Sequence, residues 1–200
     1  MQAEDSFRVF DRSIMDYHKE DRIDQPLQSP YPEGSAEHLL YTKNWIDTVQ
    51  WHLEDLTRVP DAPDSEIANL KRAIDRSNQK RTDTVEAIDD WILNHLEFPR
   101  PGPDSFMNSE TPAWLLDRMS ILALKIYHMK EETIRPAASQ EHKDRCQAKL
   151  TVLLEQKADL TLCFDELMTD LKTGKRYFKL YRQMKMYNDK NLNPALYARK

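Results

Sequence analysis

A chain of 200 residues suits a single domain and is long enough to bury a hydrophobic core. Charged residues make up 32% of it and only 3 residues are glycine, a composition that favours long helices over a sheet. The formal net charge is −5, yet residues 175–200 hold eight Lys or Arg and a single acid, so an acidic body precedes a basic tail.

The first two predicted helices cover residues 3–20 and 35–58, with a proline-rich connection at 24–34 between them. Ser35 stands where an N-cap is expected. Apolar side chains of the first helix share one stripe, formed by Phe7, Phe10, Ile14 and Tyr17. The core-facing stripe predicted for the second helix consists of Leu39, Ile46, Val49, Leu53 and Leu56.

The third predicted helix, over residues 64–96, carries polar side chains inside its apolar stripe. Asn78 and Arg81 fall in a row that otherwise holds isoleucine and valine. A guanidinium offers five donors in a rigid fork, which suits a carboxylate or phosphate ligand. The alternative is a structural role, in which Arg81 pairs across the core with Asp117 or Asp55.

The fourth predicted helix, over residues 111–135, is the centre of the predicted fold. It begins at Thr111 followed by proline, and it is apolar nearly all round, which is typical of a helix surrounded by others. A fifth helix over residues 139–173 starts at Ser139 and ends at Gly174. The buried stripe predicted for the fourth helix consists of Leu115, Met119, Leu122, Ile126 and Met129.

Together these patterns predict an all-α, single-domain, mainly antiparallel bundle of five to six helices. Two long helices, the third and the fifth, frame the bundle, and the fourth is buried between them. Residues 1–174 form the bundle, and the basic, aromatic tail over 175–200 packs on it with a possible sixth helix. Such a tail suits single-stranded nucleic acid, but the acidic body repels a polyanion and argues against that partner.

Polar side chains in or beside the buried stripes are the candidate ligand-binding residues. They are His52, Asp55, Asp75, Asn78, Arg81, Asp117, Lys125 and His128. In this hypothesis Arg81 and Lys125 clamp an anion that Asn78 orients. His52 moves a proton with the help of Asp55, three residues further along the helix. The structural alternatives are an ordinary exposed His52–Asp55 pair and a Lys125 that extends to solvent.

A magnesium-dependent hydrolase is the enzymatic alternative. Asp75, Glu86 and Asp89 form an acidic stripe on the third helix, and such carboxylates bind Mg²⁺ in helical bundles. The Glu86-x-x-Asp89 pair resembles the second acidic pair of the helical nucleotide pyrophosphatases of the MazG kind, whose first pair has no match here. Cys146 and Cys163 form no metal-ligand pattern, so no metal ligand is assigned and the cofactor is left unknown.

Two sequence runs carry a family resemblance. These are IDRSNQKR at residues 74–81 and MSILALKIYHM at 119–129, the most specific parts of four similar segments that cover 51–61, 70–92, 115–129 and 179–194. They resemble an uncharacterised bacterial family that is catalogued as a domain of unknown function. The resemblance implies a link to cell-envelope glycan metabolism, since genes of that family lie near those of sugar transferases. It also marks the polar residues that the periodicity selects.

The leading functional hypothesis is a cytoplasmic protein whose interhelical polar pocket binds a small anionic molecule. Two unpaired cysteines and an acidic N-terminus without an apolar signal region favour the cytoplasm, and no stretch is long enough to span a membrane. The hydrolase is one alternative, and a non-enzymatic module that docks a partner protein is another. The sequence leaves both enzymatic activity and oligomeric state open.

Overall fold

The computed structural model describes residues 1–183 and 191–192, and five α-helices account for most of this part of the chain. They are α1 (Ala3–Tyr17), α2 (Ala36–Leu56), α3 (Asp64–His95), α4 (Pro112–Ile134) and α5 (Gln140–Lys172). The predicted all-α, single-domain bundle is confirmed. In the described part of the chain, every helix is too short or too polar to cross a membrane.

The helix ends follow signals that are local in the sequence. The hydroxyl groups of Ser35, Thr111 and Ser139 each accept a hydrogen bond from the backbone amide three residues later, at 3.1–3.4 Å. These bonds satisfy amides that have no partner within the helix. Gly174 follows α5 with a φ of +74°, a left-handed conformation that glycine adopts without steric cost.

Helix α4 lies at the centre of the bundle and contacts all four other helices. Within the described residues, the long helices α3 and α5 make no contact with each other and flank α4 from different sides. The predicted stripe of α4 is buried except at Met129, which is half-buried. The prediction of a central buried helix framed by two long ones is therefore confirmed.

The face that α2 turns to the core differs from the prediction. Of the five apolar residues assigned to the core-facing stripe, Leu53 is buried, Leu56 is exposed and the others are half-buried. The half-buried side chains of Ile46 and Val49 line a groove towards α3. Half of the buried residues of α2 are polar or charged, namely Lys43, Asn44, Asp47 and Thr48. The prediction was wrong because periodicity assigns apolar residues to the core, whereas here the core accepts paired charges.

A short parallel pairing joins the segment after α5 to the connection between α3 and α4. Its strands are β1 (Phe106–Met107) and β2 (Arg176–Tyr177), neither of which the sequence predicts. Beyond β2, the ring of Phe178 lies against that of Phe98, with 6.2 Å between their centroids.

The described part of the basic tail continues along α3. Arg182 donates to Asp90 at 2.6 Å and to Glu86 at 3.2 Å, so at least one tail cation lies against acids of the bundle. Residues 175–183 contain no helix. The rest of the predicted sixth helix, with Lys185 and Tyr187, lies outside the described residues.

Candidate functional site

Four charged side chains from three helices meet in the core and form the buried ion network, which consists of Lys43, Asp47, Arg81 and Asp117. Lys43, Asp47 and Asp117 are only 1%, 2% and 4% exposed. The ammonium group of Lys43 donates to Asp47, one turn later on α2, and lies 2.7 Å from Asp117 Oδ1 on α4. Burial of this kind is tolerated only where charges are paired, and here two cations face two anions.

Arg81 supplies the second cation from α3. Its Nε and Nη2 atoms donate to the two carboxylate oxygens of Asp117, at 2.8 and 2.5 Å, in a bidentate pair. Nε also lies 3.4 Å from Asp47 Oδ1. The sequence left the partner of Arg81 open between Asp117 and Asp55, and the partner in the structure is Asp117.

Neutral polar groups extend the buried ion network. Ser120 Oγ donates to Asp47 Oδ2 at 2.6 Å, and Asn44 Nδ2 donates to Ser120 Oγ at 3.0 Å. Asp47 Oδ1 and Asn44 Oδ1 are buried and accept no hydrogen bond from any described residue. An acceptor left in this state costs free energy of about 1–3 kcal/mol. Both atoms are therefore places where a bound water or ligand group would be stabilised.

The two carboxyl groups of the buried ion network differ in pKa. Burial raises the pKa of Asp47 above its ordinary value, and this effect exceeds the opposing influence of Lys43. Burial also acts on Asp117, but there Lys43 and the bidentate Arg81 hold the pKa below its ordinary value. Asp117 is thus the ionised anchor of the network, and Asp47 is the carboxyl group that accepts a proton more readily.

An open cleft of about 420 Å³ lies beside the buried ion network. Arg81 is part of the buried ion network and also lines the cleft. Its guanidinium is bound to Asp117, yet 29% of its side chain is exposed. At the same cleft, Arg58 pairs with Asp55 at 3.3 Å. The lining residues are Asp47, Gln50, Trp51, Glu54, Asp55, Arg58, Arg81 and Ile121.

The structure brings some of the predicted site residues together and separates others. Asn78 lies next to the cleft and accepts a hydrogen bond from Gln50 Nε2 at 2.9 Å. Asp75 is exposed and pairs with Lys71 on its own helix. Lys125 is exposed and lines a different groove from Arg81. Of the eight predicted residues, Asp55, Arg81, Asp117 and Asn78 are those at or beside the cleft.

His52 and His128 lie elsewhere and join a residue that the sequence analysis did not select. Together with His18 they form the histidine cluster, in which His52 Nε2 is 3.4 Å from His18 Nε2. Burial lowers the pKa of both His52 and His128. The carboxylate near His52 is that of Asp21, at 3.5 Å, whereas Asp55 pairs with Arg58. The predicted His52–Asp55 pair is therefore replaced by a contact with Asp21.

Asp75 lies far from the other two carboxylates of the predicted magnesium site, and all three already have partners. Asp75 and Glu86 lie eleven residues apart on α3, about 16 Å along its axis. Glu86 accepts from Arg182, and Asp89 accepts from Thr111 Oγ at 2.5 Å and from the Ala113 amide at 3.1 Å. A single Mg²⁺ therefore cannot bind Asp75 together with Glu86. The acidic stripe instead caps α4 and contacts the tail.

We expect the difference in free energy of unfolding between Asp89→Asn and the unchanged protein to shift in favour of Asp89→Asn as the pH rises from about 4 to 6. Burial raises the pKa of Asp89 from 3.8 to about 6, so in this window the folded state holds a proton that the unfolded state has released. The unchanged protein then loses stability as the pH rises, by on the order of 2–3 kcal/mol, whereas asparagine does not titrate. Urea unfolding across this window measures the difference, with the exposed Asp83→Asn as control. A pH-independent difference would contradict the expectation.

Sequence reasoning missed Lys43, Asp47, Ser120 and His18. One signal for the first two was available, because Lys43 and Asp47 are one helical turn apart, with Asn44 and Thr48 beside them on the same face. A continuous polar face on a helix that also carries tryptophans is either exposed to solvent or part of a buried polar network. His18 had no such signal, since it follows the last turn of α1 and its neighbours come from other helices.

The fold and the site define a class: single-domain helical bundles whose central helix carries buried ion pairs next to an open cleft. Within it, residues 37–180 match the family described as protein of unknown function DUF4254, and the chain belongs to this family. The resemblance to an uncharacterised helical family is confirmed. No curated protein and no solved structure matches the chain.

Proposed function

We propose that this protein binds a small anionic molecule in the cleft beside the buried ion network, with Arg81 as the principal contact. The observation that carries the proposal is the double role of Arg81. Asp117 holds Nε and Nη2 in a fixed orientation, while the partly exposed side chain also lines the cleft. A guanidinium positioned in advance binds an anion at a lower cost in conformational entropy than a flexible lysine.

The other lining groups support an anion that also carries hydroxyl groups. Trp51, one face of which is stacked on His128, offers an apolar surface, and Glu54 and Asp55 offer acceptors for hydroxyl donors. Arg58 adds a second cation at the cleft. A sugar phosphate combines these features, and it agrees with the link to cell-envelope glycan metabolism that the resemblance implies.

The test is a calorimetric and thermal-shift titration of the full chain with glucose 1-phosphate, UDP-glucose, inorganic phosphate and glucose. We expect saturable binding of the phosphorylated compounds and no response to glucose. A ligand at a hundred times its dissociation constant adds about 2.7 kcal/mol to the free energy of unfolding. Arg81→Lys keeps the charge that Asp117 needs but loses the fork, so we expect affinity to fall at least about tenfold, or 1.4 kcal/mol.

The matched control is Arg118→Lys, an exposed arginine of α4 that pairs with Glu110 at 3.3 Å and does not line the cleft. It should bind as the unchanged protein does. Equal affinities in Arg81→Lys and Arg118→Lys would exclude the cleft as the binding site. The absence of a response to every phosphorylated compound would contradict the proposal and favour a module that docks a partner protein.

A further inference from the structure

We propose that the histidine cluster, with Asp21, is a binding site for a divalent transition metal ion of the Zn²⁺ type. The cluster brings together three helical regions, because His18 follows α1, His52 lies on α2 and His128 lies on α4. One nitrogen of each ring lies within 4.8 Å of a nitrogen of both others. This site adjoins the cleft through Trp51 but uses other ligand atoms, and the inference does not depend on the proposed ligand.

The distances between potential ligand atoms match those of a tetrahedral ion. Zn²⁺ binds imidazole nitrogen at about 2.0–2.1 Å, so two ligands of a tetrahedral site lie about 3.3–3.4 Å apart. His52 Nε2 and His18 Nε2 are 3.4 Å apart. Asp21 Oδ1 is 3.5 Å from His52 Nε2 and 3.9 Å from His18 Nε2. Two of these three separations are within about 0.2 Å of the tetrahedral value, and a nitrogen of His128 lies within 4.8 Å of nitrogens of the other two histidines.

The hydrogen bond of the His18 ring leaves the lone pair that a metal ion needs. His18 Nδ1 lies 2.7 Å from the carbonyl oxygen of Ile14, which can only accept, so Nδ1 carries the proton and Nε2 of the neutral ring has the lone pair. A backbone carbonyl in this position is the usual outer contact of a metal-bound histidine. In His128, Nδ1 lies 3.6 Å from Glu131 Oε2, beyond hydrogen-bond distance, and the buried Nε2 has no described hydrogen-bond partner.

Asp21 reaches the cluster through an uncommon backbone conformation. Its φ is +54°, in the left-handed region that few residues other than glycine adopt, although Asp does so more readily than most. This conformation directly follows the end of α1, where the Asp21 amide donates to the Tyr17 carbonyl at 3.1 Å. It places the carboxylate within 4 Å of two histidine rings.

The surroundings of the cluster suit a metal with nitrogen ligands. The ring of Tyr17 is stacked on His52, that of Trp51 is stacked on His128, and Tyr127 lies 4.5 Å from His18. These rings restrict the orientations of the imidazoles, while a groove lined by Asp21 and His52 leaves the cluster accessible from solvent. Three nitrogens and one carboxylate favour Zn²⁺, Co²⁺ or Ni²⁺ over Mg²⁺ and Ca²⁺, which prefer oxygen ligands.

A second group of potential ligands serves as the internal comparison. His142 Nε2 lies 2.7 Å from Glu132 and 3.3 Å from Cys146 Sγ. Both contacts use the same nitrogen, so this group offers one imidazole nitrogen, whereas the histidine cluster offers three. A metal bound there would have a sulfur ligand at about 2.3 Å, whereas the histidine cluster has none.

The experiment is a Zn²⁺ titration of the full chain after removal of metals with EDTA, followed by X-ray absorption of the Zn²⁺ complex and visible absorption of the Co²⁺ complex. We expect one bound ion with nitrogen and oxygen neighbours at about 2.0–2.1 Å and the intense bands of tetrahedral Co²⁺. His18→Gln should weaken Zn²⁺ binding by more than about 100-fold, the upper limit for loss of an outer contact.

Two variants control for other sites: His95→Gln, whose ring is stacked on Trp91 at the end of α3, and Cys146→Ser. Both should keep the affinity of the unchanged protein. Unchanged Zn²⁺ affinity in His18→Gln, or a sulfur neighbour in the absorption spectrum, would overturn the proposal. If His18→Gln does not fold, the absorption spectrum of the unchanged protein decides, because sulfur and nitrogen neighbours differ in distance.

Discussion

We expect Asp117→Asn to lower the free energy of unfolding by about 3–5 kcal/mol at neutral pH, the largest effect of any single substitution considered for this protein. Asp117 accepts from both arms of the Arg81 fork and lies 2.7 Å from Lys43 Nζ. Removal of its charge leaves two cations against Asp47 alone, with Lys43 and Asp47 fully buried. Urea unfolding followed by circular dichroism measures the change.

The matched control is Asp75→Asn on α3. Asp75 also pairs with a lysine, Lys71, but the pair is exposed, and exposed pairs contribute about 0–1 kcal/mol. We therefore expect little change in stability. Similar losses in Asp75→Asn and Asp117→Asn would contradict the view that burial makes the Asp117 pairs important.

A double variant tests whether charge balance is the cause. Arg81→Met combined with Asp117→Leu removes one cation and one anion and leaves Lys43 paired with Asp47. We expect it to be more stable than Asp117→Leu alone, because buried ion pairs are often replaceable by apolar side chains without loss. If the effects of the two single variants simply add, the coupling through the ion pair is absent.

The pH dependence of the Asp117→Asn effect has a defined sign. Burial acts to raise the pKa of Asp117, but Lys43 and Arg81 hold it below the ordinary value of 3.8. A group whose pKa is lowered in the folded state contributes its full stability at a pH above its unfolded-state pKa. This contribution is lost as the pH falls through the folded-state pKa. The gap between the unchanged protein and Asp117→Asn should therefore close below pH 3.8. A gap that stays constant there would indicate a cause other than charge.

The second large effect is expected at Gly174, where we predict that Gly174→Ala costs about 2–4 kcal/mol. The backbone there has a φ of +74°, and a Cβ would lie 2.9 Å from Pro99 Cγ. The left-handed conformation costs alanine about 1 kcal/mol relative to glycine, and a forced contact in packed surroundings costs about 1–3 kcal/mol more. The residue connects α5 to β2, so the substitution also disturbs the pairing of β1 with β2.

Gly34 provides an internal control for this prediction. It has a φ of +82°, and a Cβ there would meet no atom within 4 Å. Gly34→Ala thus carries the conformational cost without the contact, and the difference between the two variants isolates the contact with Pro99. Pro99→Ala combined with Gly174→Ala should recover part of the loss. Equal costs at the two glycines would show that the contact with Pro99 is unimportant.

The helices and their order could be predicted because their signals are local. Ser35, Thr111 and Ser139 cap helices that start after a proline-marked connection or a short loop, and their hydroxyl groups act on amides only three residues away. The central position of α4 was also predictable, since a helix that is apolar nearly all round has to be surrounded by other helices. The boundaries of α3 and α5 follow from the same local patterns.

The candidate site could be predicted only in part. Arg81 and Asp117 were selected because each interrupts an otherwise apolar pattern, and their pairing was one of two alternatives. Lys43 and Asp47 were missed, since charged side chains on a helix are normally solvated, and the polar face that they share with Asn44 and Thr48 fits solvent as well as a buried network. Lys125 was assigned to the same pocket as Arg81 by its position on α4, but a shared helix does not determine which groove a side chain lines.

By itself, therefore, the sequence determined the helices, their ends, the central helix and the family, all of which depend on spacing along the chain. The tertiary structure decided which face of α2 is buried, which carboxylate binds Arg81, and the meeting of His18, His52 and His128. These features depend on the mutual orientation of several helices. A side chain becomes buried, paired or available to a ligand only through neighbours that are distant in sequence, and local periodicity carries no information about them.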